Sequence, residues 1–303
     1  MSSGKLKPFL KPGQIIRGRW ERNSYEAVRF LGGGGSGIVY LVRDRKARFR
    51  AMKISTDMAG ISYEHRILVQ LNNNCYLSES DIIPGVYELD DFQLGSVVYH
   101  FFITEYFEGK SLGRLVGRID CRNALAIGVQ IRRFLSSIHE VGLIFGDLKP
   151  GNIILDQKHD KIHIVDYGSV SIKGHCLKQY TPCYDRASWH AGSRIADEGY
   201  DLFSLGMLLL SLVLGKQSQT GNYGLDKVIS TTVKKIGDKT LRNVIINSLK
   251  QQAAPCFEQA EDSELIPADR PRAEADPEVG AFVNYIGAVS IISFMLSLAY
   301  YYQ

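Results

Sequence analysis

The rhythm of apolar and polar positions changes several times along this chain. In YEAVRFLGGGGSGIVYLV, residues 25–42, apolar positions alternate on both sides of a glycine cluster, which predicts strand, turn, strand. FRAMKIS, residues 49–55, is again strand-like. SYEHRILVQL then switches to helical spacing, with Ile67, Leu68 and Leu71 on one side and Glu64 near the start. In ALAIGVQIRRFLSSIHEVGLIFGDLKPGNIILD the residues Ile127, Ile131, Phe134, Leu135 and Ile138 mark one face of a second helix. After Gly142 a loop runs from Phe145 to Asn152 into a short apolar strand, and IHIVDYGSV sets Asp166 at the end of another.

The last stretch follows a different pattern. From Val279 to Gln303 there are 25 residues without a charge. As a helix this run would extend roughly 36 Å, enough for a hydrocarbon core of about 30 Å. Tyr285 near one end and Tyr300, Tyr301 and Tyr302 at the other suit the two membrane interfaces. A transmembrane helix is therefore expected over 279–303, with Arg270 and Arg272 on its N-terminal side keeping the folded body cytoplasmic at the cell membrane. Ser293 and Ser297 form one small-xxx-small pair, a spacing compatible with a homodimer but too common to predict one. Residues 256–278 are acidic, contain Pro267, Pro271 and Pro277, and read as a solvated tether.

Composition narrows the class. An apolar share of 45% and a charged share of 22% exclude a disordered or collagenous chain. At 303 residues the chain exceeds the ~250 at which one core usually stops growing, so one large or two small lobes are expected. Cys75, Cys121, Cys176, Cys183 and Cys256 are scattered and odd in number, which reads as reduced thiols. The net charge of +4 conceals a split. Residues 256–280 hold eight acids against two arginines, which leaves residues 1–255 at +10. A body that basic suits an anionic ligand, an anionic lipid surface or nucleic acid. For nucleic acid the candidate stretches are KLKPFLKPGQIIRGRW and LDKVISTTVKKIGDKTLRNVIINSLK, since the tether is acidic.

The glycine cluster has the G-x-G-x-x-G spacing at Gly32, Gly34 and Gly37, which lets backbone N–H groups approach phosphate oxygens. A strand rather than a helix follows it, so a dinucleotide fold does not fit, while a flexible hairpin does. Lys53 lies sixteen residues past Gly37, within reach of a phosphate or of Glu64. In the later loop Asp147 can accept a hydroxyl proton, Lys149 can counter charge on a transferred phosphoryl, and Asn152 and Asp166 are oxygen ligands suited to Mg²⁺.

Taken in order, the glycine loop, A-M-K, the helix glutamate, G-D-L-K-P-G-N, D-Y-G and D-L-F-S-L-G resemble a Hanks-type protein kinase. The combination of IFGDLKPGN, YTPCYDRASW and a C-terminal span resembles the membrane-anchored, sporulation-associated serine/threonine kinases of Bacillus-type bacteria. The resemblance implies an α+β, two-lobed kinase fold with a C-terminal transmembrane helix. Its parts would be a basic N-terminal extension (1–24), an N-lobe (25–106), a C-lobe (107–255), the tether (256–278) and the span (279–303).

By the same resemblance Leu31, Gly32, Gly34, Gly37 and Val39 cover ATP, and Lys53 binds its α/β-phosphates with Glu64 as partner. Glu105 C=O and Phe107 N–H would meet the adenine edge, with Thr104 as gatekeeper. Asp147 is the implied catalytic base, Asn152 and Asp166 the Mg²⁺ ligands, and Asp201 the prop of the catalytic loop. Lys149 with Thr181 fits a serine/threonine rather than a tyrosine pattern, so protein serine and threonine hydroxyls are the expected acceptors. Autophosphorylation is expected, with Ser169, Ser171, Thr181 and Ser188 as candidate sites.

The chain departs from the pattern in places. Phe145-Gly146-Asp147 stands for H-R-D, so the arginine that would receive a loop phosphate is missing. Arg186-Ala187-Ser188 stands for A-P-E, and the structural glutamate is lost. Tyr167 replaces the phenylalanine of D-F-G. After Gly215 no match to the family's last helices is visible, so a trimmed C-lobe is expected. Two other readings share the motifs: an ATP-binding pseudokinase scaffold at the membrane, and a small-molecule phosphotransferase.

Overall fold

The computed structural model describes residues 7–74, 81–156, 158, 160–177, 181–215 and 224–252. Six antiparallel strands build the first sheet: β1 (Ile15–Arg17), β2 (Ser24–Gly34), β3 (Gly37–Arg43), β4 (Phe49–Ser55), β5 (Val86–Leu94) and β6 (Val97–Glu105). Their spatial order is β1-β2-β3-β4-β6-β5. The period-two pattern sets the register. Ile38 faces Ile54 and Tyr40 faces Met52 across β3 and β4, and all four are buried on the outer face with Phe101 and Ile103. The intervening residues Val39 and Lys53, also directly paired, share the opposite face.

Within the stretch 1–24, expected as an extension, residues 9–17 pack onto this lobe. The Phe9 and Leu10 N–H groups donate to Tyr40 OH at 2.7 and 3.0 Å, and the Phe9 ring stacks on Tyr99. Strand β1 pairs with β2, burying Ile16 beside Leu10. The cause is the apolar outer face, which needs a second layer over it and finds one in the chain that precedes it.

Helix α1 (Met58–Asn72) crosses between β4 and β5 and is capped by Asp57, whose side chain accepts from Gly60 N–H. It turns Ile61, Ile67, Leu68 and Leu71 into a core that continues through Phe102 into the larger lobe. That lobe is built on helices α2 (Cys121–Glu140), α3 (Glu198–Leu214), α4 (Leu225–Lys235) and α5 (Lys239–Leu249). Short strands β7 (Lys110–Ser111), β8 (Leu143–Ile144), β9 (Ile153–Asp156), β10 (Lys161–Ile164) and β11 (Ser171–Ile172) edge the cleft.

Helix α3 is buried without interruption from Tyr200 to Leu212, as expected of a helix apolar all round inside a core. A side chain at Gly206 would come within 3.0 Å of Leu249 N, so glycine is what lets α5 pack this closely. Residues 224–252, where no family pattern is visible in the sequence, form helices α4 and α5. Helix α5 buries Leu241, Val244, Ile245 and Leu249 in the same core as α3.

Among the described residues no helix is long and apolar enough to cross a membrane. The tether at 256–278 and the span at 279–303 lie outside the described residues. Cys121, Cys176 and Cys183 are free thiols.

Candidate active site

Strands β2 and β3 meet in a two-residue turn, with Gly34 opposite Gly37 and Gly32 opposite Val39. The register slips between Phe30 and Gly32, a bulge at Leu31 that bends the hairpin over the cleft. Gly37 has φ +138°, and a Cβ there would strike Ile54 O at 2.5 Å. At Gly32 and Gly34 a Cβ would meet nothing within 4 Å, so both leave open space beside the backbone. That opening is what a phosphate chain requires.

Lys53 is 6% exposed, and its Nζ donates to Glu64 Oε2 on α1 at 2.6 Å and to Asp166 Oδ1 at 3.0 Å. Burial alone would lower the Lys53 pKa; the Glu64 and Asp166 carboxylates outweigh it and hold the ammonium above its ordinary value. Burial pushes Glu64 the other way, up to about 7, against the pull of Lys53. For Asp166 burial is outweighed by the Lys53 charge, and the carboxyl stays below the ordinary carboxylate range. Glu64 also accepts Tyr167 N–H at 3.2 Å, which ties the helix to the segment after Asp166.

The sheet ends at Ile103-Thr104-Glu105, with Thr104 8% exposed. Glu105 N–H donates to Gly85 O at 2.8 Å, fixing the crossing between lobes. Two residues on, the Phe107 ring stacks on His163 at 3.7 Å between centroids.

The catalytic-loop residues hang from one carboxylate. Asp201, fully buried on α3, accepts Phe145 N–H at 2.8 Å through Oδ2 and Gly146 N–H at 2.9 Å through Oδ1. His139 Nε2 lies 2.8 Å from the same Oδ2. Thus held, the loop presents Asp147. Thr181 Oγ1 donates to Asp147 Oδ1 at 2.7 Å, and Lys149 Nζ binds Asp147 and lies 3.3 Å from Thr181 Oγ1. Asn152 Nδ2 donates to Asp147 O at 3.1 Å, which leaves its amide oxygen as the atom able to face a cation.

Gly146, in place of the family's arginine, has φ +81°, and a Cβ there would lie 2.8 Å from Leu177 Cδ2 and 2.9 Å from Ser169 O. The position admits glycine and little else.

The segment that lacks the A-P-E glutamate is secured by other groups. Asp185, fully buried, accepts from Ser188 Oγ at 2.6 Å, Arg194 Nη2 at 2.7 Å and Tyr200 OH at 3.0 Å. Arg186, 4% exposed, takes both oxygens of Asp197 at 2.7 and 2.5 Å and binds Gln251 Oε1 at 2.7 Å. His139, Asp185, Arg194 and Gln251 carry no signal of these roles in the sequence. Asp197 alone carries a local signal, as the acid before a long apolar helix.

The comparisons agree with this geometry. A family model described as protein kinase domain matches residues 25–262. The serine/threonine-protein kinase YabT of Bacillus subtilis is 33% identical over 215 residues, 70% of this chain and 62% of that protein. A probable serine/threonine-protein kinase of Clostridium perfringens, CPE1738, is 26% identical over 74% of this chain and 33% of its own length. PknG of Mycobacterium leprae, a serine/threonine-protein kinase, is 27% identical over 71% of this chain and 28% of its own. The chain thus spans less than two thirds of each of these relatives. The solved structure of vaccinia related kinase 3 superposes with a TM-score of 0.62 over 84% of this chain and 90% of that one, at 15% identity, a likeness of fold. With the family model covering both lobes and the whole cleft, the chain belongs to the protein kinase domain family.

Proposed function

We propose that this protein is a serine/threonine protein kinase that transfers the γ-phosphoryl group of Mg-ATP to protein hydroxyls. The observation that carries the reading is the convergence of Lys53, Glu64 and Asp166 in one ion-pair network, together with a second cluster of Asp147, Lys149 and Thr181. Lys53, oriented by Glu64, binds the α/β-phosphates. The hairpin backbone at Gly32 and Gly34 covers them, with Leu31 and Val39 against the nucleotide and the Glu105 and Phe107 backbone at the adenine edge. Asp166 and the Asn152 amide oxygen are the residues that would hold Mg²⁺, which when bound neutralises phosphate charge.

Asp147 orients the acceptor hydroxyl and accepts its proton as the new P–O bond forms and the bond to ADP breaks. Lys149 offsets the negative charge on the moving phosphoryl group. Positioning and charge supply most of the rate in this chemistry. Thr181 holds the Asp147 carboxylate through its bond to Oδ1.

The uncharged run at 279–303 supports membrane anchoring through the tether, with the kinase body on the cytoplasmic face, as in the anchored sporulation-associated kinases that the sequence resembles. Serine and threonine near the cleft support autophosphorylation.

The test is transfer from γ-labelled Mg-ATP by the full chain beside Asp147→Asn. Label on the protein or on a generic substrate, lost in the variant, is the expected result. ATP binding without transfer would overturn the reading in favour of a scaffold, and transfer to small alcohols but not to protein would overturn it in favour of a small-molecule phosphotransferase.

A further inference from the structure

The turn between β3 and β4 has the sequence RDRKARFR, residues 43–50, five cations in eight positions. Beside it a cavity of about 280 Å³ opens on the small lobe, walled by Asp44, Arg45, Lys46, Arg48, Arg50 and Tyr87. The cavity lies on the outer face of the sheet. Ile103 lines it, whereas Phe102 and Thr104 alternate toward the face that carries Lys53.

The guanidinium groups here are held in place. Asp44 Oδ1 accepts the N–H groups of Lys46 at 2.8 Å and Arg48 at 2.9 Å, closing the turn. Its Oδ2 takes Arg48 Nε at 2.9 Å and lies 3.7 Å from Arg50 Nε. One carboxylate therefore sets two guanidinium groups side by side through their Nε edges, leaving the Arg48 Nη atoms and Arg50 Nη2 for a ligand. Burial is outweighed by these Arg48 and Lys46 bonds, so the Asp44 carboxyl stays ionised below its ordinary range.

Arg50 also lies over the Tyr87 ring at 4.1 Å and donates to Tyr87 OH at 3.2 Å. Tyr87 sits at a bulge in β5, between the Val86 and Glu88 pairings, and is 53% exposed. Arg45 Nη2 donates to Arg22 O at 2.9 Å, tying the turn to the loop before β2. The acids in the wall are Asp44, engaged by the arginines, and Glu88, whose Oε2 is engaged by Tyr25 OH and Asn23 Nδ2 at 2.7 Å each. Four cations thus face two acids around one concavity.

We propose that this cavity is an anion site for a phosphate monoester, separate from the nucleotide cleft. Arginine forks match the oxygens of a phosphate, and groups already fixed in position lose little freedom on binding. A phosphate ester near pH 7 carries close to two negative charges, which suits four cations better than a lone carboxylate does.

The test is calorimetric titration of the full chain with its nucleotide cleft saturated by a non-hydrolysable ATP analogue. The probes are inorganic phosphate, glycerol 3-phosphate, and a phosphoserine peptide beside its unphosphorylated form. One site per chain is expected for the phosphate-bearing probes. Arg48→Gln with Arg50→Gln should weaken them by about tenfold or more, as loss of charge-assisted bonds implies. Lys46→Gln, on the exposed turn, should weaken them with no change in melting temperature, and it decides the matter alone if the double variant does not fold. Tighter binding of glycerol 3-phosphate supports the site with a small ester as its source, and tighter binding of the phosphopeptide supports it with a phosphorylated protein segment. Equal affinity for the two peptide forms with no binding of glycerol 3-phosphate or inorganic phosphate, unchanged affinity in the variants, or no heat from any phosphate probe would overturn the proposal.

Discussion

Replacing Tyr167 by phenylalanine should make the protein more stable. Tyr167 is fully buried after Asp166, and its ring meets Phe145 at 5.7 Å and Phe134 at 6.3 Å, both edge-on. The ring is thus packed as a phenylalanine would be. Its hydroxyl has no hydrogen-bond partner among the described residues. Burial and the nearby Glu64 charge raise its pKa well above the ordinary value, so the group is a neutral donor with nowhere to donate. An unsatisfied buried hydroxyl costs about 1–3 kcal/mol, and removing it without changing the ring should return that amount. For a domain of this size each kcal/mol moves Tm by roughly 2–4 °C, so Tyr167→Phe should melt about 2–12 °C higher. Tyr40→Phe is the matched control. Its hydroxyl accepts two backbone N–H groups, so the same deletion there should lower Tm by a similar amount. Differential scanning calorimetry of the three proteins decides the question. A Tm for Tyr167→Phe equal to or below that of the parent would refute the reasoning.

Three further outcomes are expected. Gly146→Ala puts a Cβ into left-handed backbone and against Ser169 O, so it should lose at least about 1–2 kcal/mol in urea unfolding. Below about pH 7 a Glu64 carboxyl raised to that value is protonated, so kcat/KM should climb from pH 6 to 8 as Lys53 gains a second anionic partner beside Asp166. Glu64→Gln should stay flat at the low level, about tenfold down at pH 8; a variant that kept the climb would assign it to another group. For Asp185 burial is outweighed by bonds from Ser188, Arg194 and Tyr200, so its folded pKa lies below the unfolded 3.8. Its contribution is present above that value and fades as pH falls through the folded one. Thermal melts should therefore show Asp185→Asn less stable at pH 7 and less sensitive to acid.

The sequence was most legible where one local pattern served one purpose. The alternation around the glycines, the strand carrying Lys53 and the one-sided spacing of α1 and α2 each predicted the element that forms. Within the active site, Lys53 and Glu64 were paired from the sequence, and they meet at 2.6 Å. What stayed hidden depends on residues distant in sequence. His139 meets Asp201 across 62 positions, and Arg186 meets Gln251 across 65. The N-terminal stretch looked like a basic extension because its cations outnumber the two apolar residues that matter, Leu10 and Ile16. Helix α5 has no motif, only a face of four apolar residues matched to α3.

The two departures from the family pattern have one structural answer. An arginine before the catalytic aspartate and a glutamate in A-P-E would both hold mobile segments in place through charge. Here Gly146 gives up a side chain and relaxes the backbone at φ +81°, while its N–H still reaches Asp201. The segment opposite is fixed by Asp185 with Arg194 and Tyr200, and by Arg186 with Asp197. Two of those anchors, Asp197 and Tyr200, belong to the first turns of the helix that carries Asp201. Catalytic loop and activation segment therefore hang from the same end of α3, the most deeply buried helix of the lobe. Asp147 is thus held through the Phe145 and Gly146 N–H bonds to that helix, and Thr181 reaches it by its own bond to Oδ1.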